Sequence, residues 1–257
     1  MQTWQWREWQ GLPYLTCSLL DSWPHGFFSR HFSPRMPQAL VEVLDPSAKA
    51  YRVKQVHGNR VLNTSLLQPL ESETTPLQDA DGILTEDSQA AVWVASADCV
   101  PVLIGDTQTQ QVAAIHAGWR GTAAKIVPEA IAQFQTQGSA LESLRIAMGP
   151  AISGPVYQVS TDVAVQLGQT IEPNWTASDN EILADLMQQP QSPFIADPEP
   201  GKIRVDVRRI NAIQLEQLGI TPEQVAISPH CTYTDTNQFF SYRRDNQKKV
   251  QWSGIVR

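Results

Sequence analysis

Short runs rich in valine and isoleucine follow one another directly in the middle of the chain, with no helical segment between them. They cover 91–97, 100–104 and 111–115, and Gly, Pro or Asp residues bound them. A doubly wound parallel sheet alternates strands with helices, so this order favours a mixed or antiparallel sheet. Further runs of the same kind lie at 52–56, 144–148, 202–207 and 225–227.

Helical periodicity marks three other segments. Residues 122–134 place six apolar residues on one face, although Pro128 removes a backbone donor and is expected to kink the helix. Residues 160–167 and 207–218 follow the same period, and Gly219 ends the second of them. Strands and helices together give an α/β chain.

Length and composition exclude several classes of protein. The chain has 257 residues, enough for one large domain or two small ones, and its net charge of −7 with 19 lysines and arginines argues against a nucleic-acid partner. Three scattered cysteines cannot form a disulfide framework, and no stretch approaches the roughly 18 apolar residues of a membrane span. We expect a cytoplasmic monomer without a membrane segment. Residues 169–200, with five prolines, are expected to form a surface excursion with a short helix at 181–187.

Two histidines and one cysteine stand at the ends of three strand-like runs. His57 follows 52–56, Cys99 follows 91–97 and His116 follows 111–115. Two imidazoles and a thiolate suit a borderline-soft ion such as Zn²⁺ and leave its fourth position open for water or substrate. The three residues are far apart in sequence, so this prediction of a catalytic metal site depends on the fold. A buried cysteine and two core histidines are the alternative interpretation.

Five short strings resemble the laccase-domain family, also called YfiH-like or multicopper polyphenol oxidase-like, in their order and spacing. They are KQVHG at 54–58, ADG at 80–82, ADCVP at 97–101, HAGWRG at 116–121 and FFSYR at 239–243. Family members are described as zinc-dependent purine nucleoside phosphorylases. The resemblance covers about 25–244 and implies a single domain over 1–257 with a layered α/β/β/α sandwich of mixed sheets. It also implies that His57, Cys99 and His116 are the catalytic metal ligands.

The resemblance and the local pattern also suggest substrate-binding residues. Arg30 matches an arginine that faces the active site in the family, although HFSP at 31–34 replaces the glycine-rich segment that often follows it. Arg120 lies in a glycine-containing turn before a helix, where backbone N–H groups and a guanidinium can bind an anion such as phosphate. Asp81 is the preferred carboxylate for proton transfer or purine contact. A solvated arginine and a turn-capping aspartate are the alternatives.

Other titratable residues are assigned structural positions. His25 and His31 are expected at the surface or in loops. His230 and Cys231 are adjacent on an extended segment and face opposite ways, so they cannot both reach one ion, and Cys231 is interpreted as structural. Asp98 is expected to point away from Cys99 for the same reason.

These features lead to an expected function with stated alternatives. The first hypothesis is zinc-dependent phosphorolysis of adenosine or inosine, with methylthioadenosine as a further candidate substrate and adenosine deamination as a second activity at the same metal. The usual His-x-Glu and Pro-Cys-x-x-Cys signature of zinc deaminases is absent.

Two other reactions remain as alternatives. A copper-dependent polyphenol oxidase would need more histidine ligands than the five in this chain, although a single Cu²⁺ could occupy the same three ligands. A cysteine or metal amidase that edits a peptidoglycan precursor would use Cys99 as nucleophile with a histidine base. The metal content of the purified protein distinguishes these hypotheses, because a Cys99 thiolate that binds a metal ion is not available as a nucleophile.

Overall fold

The computed structural model describes residues 3–72, 74–172, 176 and 178–257, and in those residues the chain forms fifteen strands and seven α-helices. The strands are β1 (Trp4–Trp9), β2 (Leu12–Cys17), β3 (His25–Phe28), β4 (Lys49–Arg52), β5 (Val61–Asn63), β6 (Gly82–Thr85), β7 (Ala90–Ser96), β8 (Val100–Asp106), β9 (Val112–Ala117), β10 (Leu144–Met148), β11 (Gln158–Ser160), β12 (Phe194–Ala196), β13 (Lys202–Val205), β14 (Val225–Ile227) and β15 (Gln251–Val256). The helices are α1 (Pro37–Leu44), α2 (Trp119–Ala123), α3 (Ile126–Thr136), α4 (Thr161–Gly168), α5 (Asp179–Gln188), α6 (Val207–Gln217) and α7 (Tyr242–Asp245).

Two six-stranded mixed sheets and one small sheet organise these strands. The first sheet has the order β1-β2-β3-β15-β7-β4, the second has the order β14-β10-β8-β9-β6-β5, and β11-β13-β12 form the third. Most neighbours are antiparallel, whereas the β4–β7, β5–β6 and β10–β14 pairs are parallel. The prediction of mixed sheets is confirmed.

Alternating side chains on the central strands create the layers. Along β8, Val100, Val102 and Ile104 pack under the helices α3 to α6, whereas Leu103 packs against residues of the first sheet. The helix α1 covers the outer face of the first sheet, where Trp93 is fully buried. Because successive residues of a strand face opposite sides, the central strands of the two large sheets are buried on both faces, and the predicted α/β/β/α sandwich is confirmed.

The metal-ligand candidates gather at one rim of the sandwich because the chain crosses between the sheets there. The connection from β4 to β5 contains His57, and the connection from β7 to β8 contains Cys99. Strands β4 and β7 are parallel, so both connections leave the first sheet at the same end. Strand β9 runs antiparallel to β8 and pairs His116 with Pro101, which brings its last residues to that end as well.

Two local predictions are corrected by the structure. The strand predicted at 52–56 ends at Arg52, and His57 lies in a loop with a left-handed φ of 61°. The helix predicted at 122–134 is interrupted at Lys125, whose φ of 57° separates α2 from α3. Pro128 therefore falls in the first turn of α3, where its missing N–H has no helical partner to lose, and the expected kink has no cause.

Other predicted elements agree closely with the structure. The helices expected at 160–167 and 207–218 are α4 and α6, each within one residue at either end. Helix α5 contains the segment predicted at 181–187, and its Ile182, Leu183 and Leu186 are buried in the core beside α4. Residues 173–175 and 177 of the predicted excursion lie outside the described residues. Among the helices described, none combines the length and the hydropathy that spanning a bilayer would require.

Candidate metal centre

His57, Cys99 and His116 converge as the sequence pattern predicts. One ligand atom of each residue lies within 4.8 Å of the ligand atoms of the other two. The two imidazole rings meet edge to face with 4.9 Å between their centroids. His116 is buried, Cys99 is half-buried and His57 is exposed, so the cluster opens to solvent on the His57 side. No second group of three such ligands occurs in the described part of the chain.

The Asp81 carboxylate holds two of these residues in place from beneath. Its Oδ1 accepts the backbone N–H of His57 at 2.9 Å and lies 2.9 Å from His116 Nδ1. Its Oδ2 accepts the N–H groups of Val56 and Gly58 at 3.1 and 2.7 Å. Asp81 is fully buried. Burial raises the pKa of this carboxyl, but the hydrogen bonds from His116, Gly58 and Val56 outweigh burial and leave the pKa below its usual range.

The hydrogen bond to Asp81 determines which nitrogen of His116 faces the cluster. An ionised carboxylate only accepts, so Nδ1 of His116 carries a proton and Nε2 is the nitrogen left to face the cluster. Carboxylate, histidine and metal commonly stand in this order in zinc proteins, where the carboxylate fixes the ring orientation and tautomer.

The neighbouring groups shift the protonation of the metal-free cluster. Burial alone would raise the pKa of the Cys99 thiol, but the His116 and His57 imidazoles lower it to about 6. Burial alone would lower the pKa of His116, but the Cys99 thiolate and Asp81 raise it to about 9. Near pH 7 the thiol is therefore largely ionised, which is the form that binds a metal ion.

Close backbone approach at Gly118 keeps the three ligands together. A Cβ on Gly118 would lie 2.9 Å from Cys99 Sγ and 3.2 Å from His57 Cδ2. The φ of Gly118 is −70°, which any residue adopts, so space rather than backbone conformation requires glycine here. The HAGWRG string places the smallest residue where the ligands from two other loops meet.

A cavity of about 490 Å³ lies above the cluster. Its floor includes His57, Cys99 and Asp98, and two arginine–aromatic pairs stand at its sides. The Arg120 guanidinium lies 4.4 Å from the Trp119 ring centroid, and the Arg243 guanidinium lies 4.9 Å from that of Tyr157. The remaining wall is formed by exposed residues of α7 and of the segment that follows it: Tyr242, Gln247, Lys248, Lys249 and Val250.

Asp98 anchors that C-terminal wall to the metal-ligand loop. Its φ of 90° is left-handed, and its carboxylate accepts the Thr232 hydroxyl and the Arg243 backbone N–H, each at 2.7 Å. The Arg243 guanidinium also donates to the Gln158 carbonyl at 2.7 Å. The wall and the cluster are thus connected through one buried carboxylate.

Comparison with known proteins identifies the family. The profile of the family described as multi-copper polyphenol oxidoreductase laccase matches residues 37–256. The chain belongs to this laccase family. It is 50% identical over 256 residues to the purine nucleoside phosphorylase slr1573 of Synechocystis sp., covering 98% of this chain and 97% of that protein. The adenosine deaminase RL5 from an unknown prokaryotic organism is 29% identical over 68% of this chain and 61% of its own length. The crystal structure of YlmD from Geobacillus stearothermophilus shares the fold, with a TM-score of 0.81, 23% identity and 98% of both chains covered.

The structure of this laccase-family chain separates the predicted substrate residues. Arg120 lines the cavity, whereas Arg30 does not. Arg30 donates to the Thr236 carbonyl at 2.7 Å and lies 4.6 Å from the Phe240 ring centroid, so it supports the segment before α7. Asp81 is also outside the cavity, because its carboxylate is buried beneath the ligands. Sequence reasoning missed Arg243, although it ends the FFSYR string.

Two other histidines and Cys231 have hydrogen-bond partners of their own. The prediction that His25 lies at the surface is wrong: it is buried in β3, where Nε2 accepts the Cys17 N–H at 2.9 Å. His230 Nδ1 lies 2.8 Å from Asp235. Cys231 Sγ accepts from both the N–H and the hydroxyl of Ser153, consistent with its structural interpretation.

Proposed function

We propose that this protein is a zinc-dependent purine nucleoside phosphorylase that cleaves adenosine or inosine with phosphate. The observation that carries the proposal is the convergence of two imidazoles and a thiolate, supported by a buried carboxylate, at the floor of a cavity with two arginines. The relative from Synechocystis, named a purine nucleoside phosphorylase and similar along 97% of its length, supports the same reaction.

The donor set fits zinc. Two imidazole nitrogens and one thiolate would leave a tetrahedral ion with one open position, and metal binding would displace the second proton of His116 from Nε2 while Asp81 keeps the first on Nδ1. Zinc held by His57, Cys99 and His116 supplies Lewis-acid chemistry at the cavity floor. A single Cu²⁺ at the same residues is the alternative, because copper outcompetes zinc for such ligands when it is available.

The two guanidinium groups are the proposed phosphate ligands. The Arg120 side chain contacts the Trp119 ring and makes no hydrogen bond to the described residues, so its N–H donors are free for an anion. Arg243 is partly committed to Gln158, which fixes its position over Tyr157. In the proposed reaction a phosphate oxygen forms a bond to C1′ of the ribose as the bond from C1′ to the purine nitrogen breaks. The electron pair leaves with the purine, which takes up a proton.

Aromatic faces in the cavity are suited to the purine base. Trp119, Tyr157 and Tyr242 line it, and Tyr242 is half exposed. Flat bases stack on such rings in offset geometry. A purine base can therefore stack on one of these rings while phosphate binds to the guanidinium groups. Adenosine deamination at the same cluster is a second proposed activity, supported by similarity to the relative named an adenosine deaminase.

The test begins with protein purified without added metal. Elemental analysis is expected to give about one zinc per chain, and base release from inosine is expected to require phosphate. Equal rates without phosphate would make the enzyme a hydrolase. A metal-free protein that cleaves amides through Cys99 would instead support the amidase alternative, and bound copper with phenol oxidation would support the oxidase alternative.

Arginine variants test the phosphate site. Arg120→Ala is expected to raise the phosphate KM at least tenfold with a much smaller change in the nucleoside KM, because only the anion loses a charged partner. Arg30→Ala is the matched control, since it removes the same group outside the cavity and should leave the phosphate KM within about twofold. A larger effect from Arg30→Ala would reverse the assignment.

A further inference from the structure

A second, smaller cavity lies on the other side of the segment that closes the metal cavity. Its volume is about 200 Å³, and residues 248–250 line both cavities. Its other principal lining side chains are Phe28, Phe32, Trp252, Met36 and Arg35. The cavity is thus separate from the His57, Cys99 and His116 cluster but shares one wall with the space above it.

The residues that line this second cavity are mainly cationic and aromatic. Arg35, Lys248 and Lys249 contribute three positive charges, and no acidic residue lines the cavity. Phe28 and Phe32 meet edge to face with 4.8 Å between their ring centroids, and both line the apolar part of the cavity. Ser29 also lines the cavity, and its buried hydroxyl has no hydrogen-bond partner among the described residues. Cations, aromatic faces and an unpaired hydroxyl together suit an amphipathic anion.

We propose that this second cavity binds a small aromatic carboxylate. Its ring would lie against Phe28, Phe32 and Trp252, and its carboxylate would pair with Arg35 and the two lysines. At about 200 Å³ this cavity is less than half the size of the metal cavity at about 490 Å³, which favours a ligand of about one ring and one charged group over a nucleoside with its phosphate.

The shared wall gives a route by which such a ligand acts on the metal cavity. Residues 247–249 are exposed, and their backbone makes no hydrogen bond within the described chain. Little therefore holds this segment except its side-chain contacts, such as Lys249 over the Phe240 ring at 5.9 Å. A carboxylate that draws Lys248 and Lys249 toward the second cavity removes their charges from the first. The ligand is expected to raise the phosphate KM, and this consequence rests on the proposed function.

Binding is tested with benzoate on the zinc-loaded protein in the absence of substrate. Calorimetric titration at low ionic strength is expected to show one saturable site, with benzamide, the neutral analogue, binding at least tenfold more weakly. Arg35→Ala is expected to weaken benzoate at least fivefold, whereas Arg35→Lys stays within about twofold. Met36→Trp, which fills the cavity, should abolish binding without removing a charge. Unchanged zinc content and melting temperature show that each variant is folded.

Three results would overturn the proposal: equal affinity for benzoate and benzamide, unchanged benzoate affinity in Arg35→Ala, or displacement of benzoate by nucleoside in direct competition. Because binding is measured without turnover, failure of the phosphorylase assay leaves this test intact. In an active enzyme, saturating benzoate should raise the phosphate KM at least threefold in the wild type and not in Arg35→Ala. A wild-type KM that benzoate does not change would refute the coupling through residues 247–249.

Discussion

Replacing Asp81 with asparagine tests whether one buried carboxylate orders the metal centre. The carboxylate receives four hydrogen bonds, from the backbone of Val56, His57 and Gly58 and from the ring of His116. Asparagine keeps the size of the side chain but exchanges one acceptor oxygen for an NH₂ group. Its amide group can be placed in two ways, and neither satisfies all four partners.

The two placements have different costs. If NH₂ takes the Oδ2 position, the Val56 and Gly58 N–H groups lose their acceptor. If NH₂ takes the Oδ1 position, it opposes the His57 N–H and donates to His116 Nδ1, which moves the His116 proton to Nε2 and blocks coordination. Each group left without a partner costs about 1–3 kcal/mol, so the variant should be about 1–3 kcal/mol less stable with NH₂ at the Oδ1 position and about 2–6 kcal/mol less stable with NH₂ at the Oδ2 position. Loss of such a supporting carboxylate typically weakens metal binding about 10–100-fold, or about 1.4–2.7 kcal/mol.

Two measurements check this prediction: zinc affinity by chelator competition, and the free energy of unfolding by denaturant titration. Asp79→Asn is the matched control, because the side chain of that aspartate is exposed and pairs with Lys54 at 3.1 Å. It should change zinc affinity less than twofold. The reasoning is refuted if Asp81→Asn binds zinc as tightly as the wild type, or if Asp79→Asn weakens it equally.

Three further predictions concern the ligands themselves. Gly118→Ala should reduce zinc affinity at least tenfold because its Cβ meets Cys99 Sγ at 2.9 Å, whereas Gly105→Ala, which meets the Trp23 ring at 2.7 Å, should lower stability and leave zinc per folded chain unchanged. In metal-free protein, alkylation of Cys99 should have a pH midpoint near 6, and His116→Gln should raise that midpoint; a wild-type midpoint at 8 or above would contradict the paired cluster. Since the pKa of this thiol is lower in the folded than in the unfolded protein, its contribution to metal-free stability is present above the unfolded pKa and is lost as the pH falls through about 6. Cys231→Ala should keep full zinc stoichiometry while leaving Ser153 without its acceptor, at a cost of about 1–3 kcal/mol, whereas Cys99→Ser should lose most of the zinc.

Local sequence patterns predicted the secondary structure correctly where residue preferences and side-chain periodicity determine it. The runs at 144–148 and 225–227 are strands at those residues, because valine, isoleucine and alanine bounded by polar residues or turns suit a pleated, buried surface. The absence of helices between 91 and 115 correctly indicated mixed sheets. Lys125 and His57 have positive φ values, which the periodicity of apolar residues does not indicate. The helix and strand boundaries predicted near these residues were therefore wrong.

The sequence by itself also identified which residues could hold a metal, since only a few histidines and cysteines follow strand-like runs. It could not place Asp81, because the same ADG string fits an exposed turn and a buried carboxylate. Two crossings between the sheets at one rim bring His57, Cys99 and His116 within reach of each other, and that rim buries Asp81 beneath them.

The same long-range packing carries Arg243 to the cavity from far along the chain and leaves Arg30 outside it. The sequence by itself determined which metal ligands and which guanidinium groups the chain can offer, because these depend only on residue type. The tertiary structure alone decided which donors share a cavity, because this depends on how strands distant in sequence pair and on which ends of the sheets they leave.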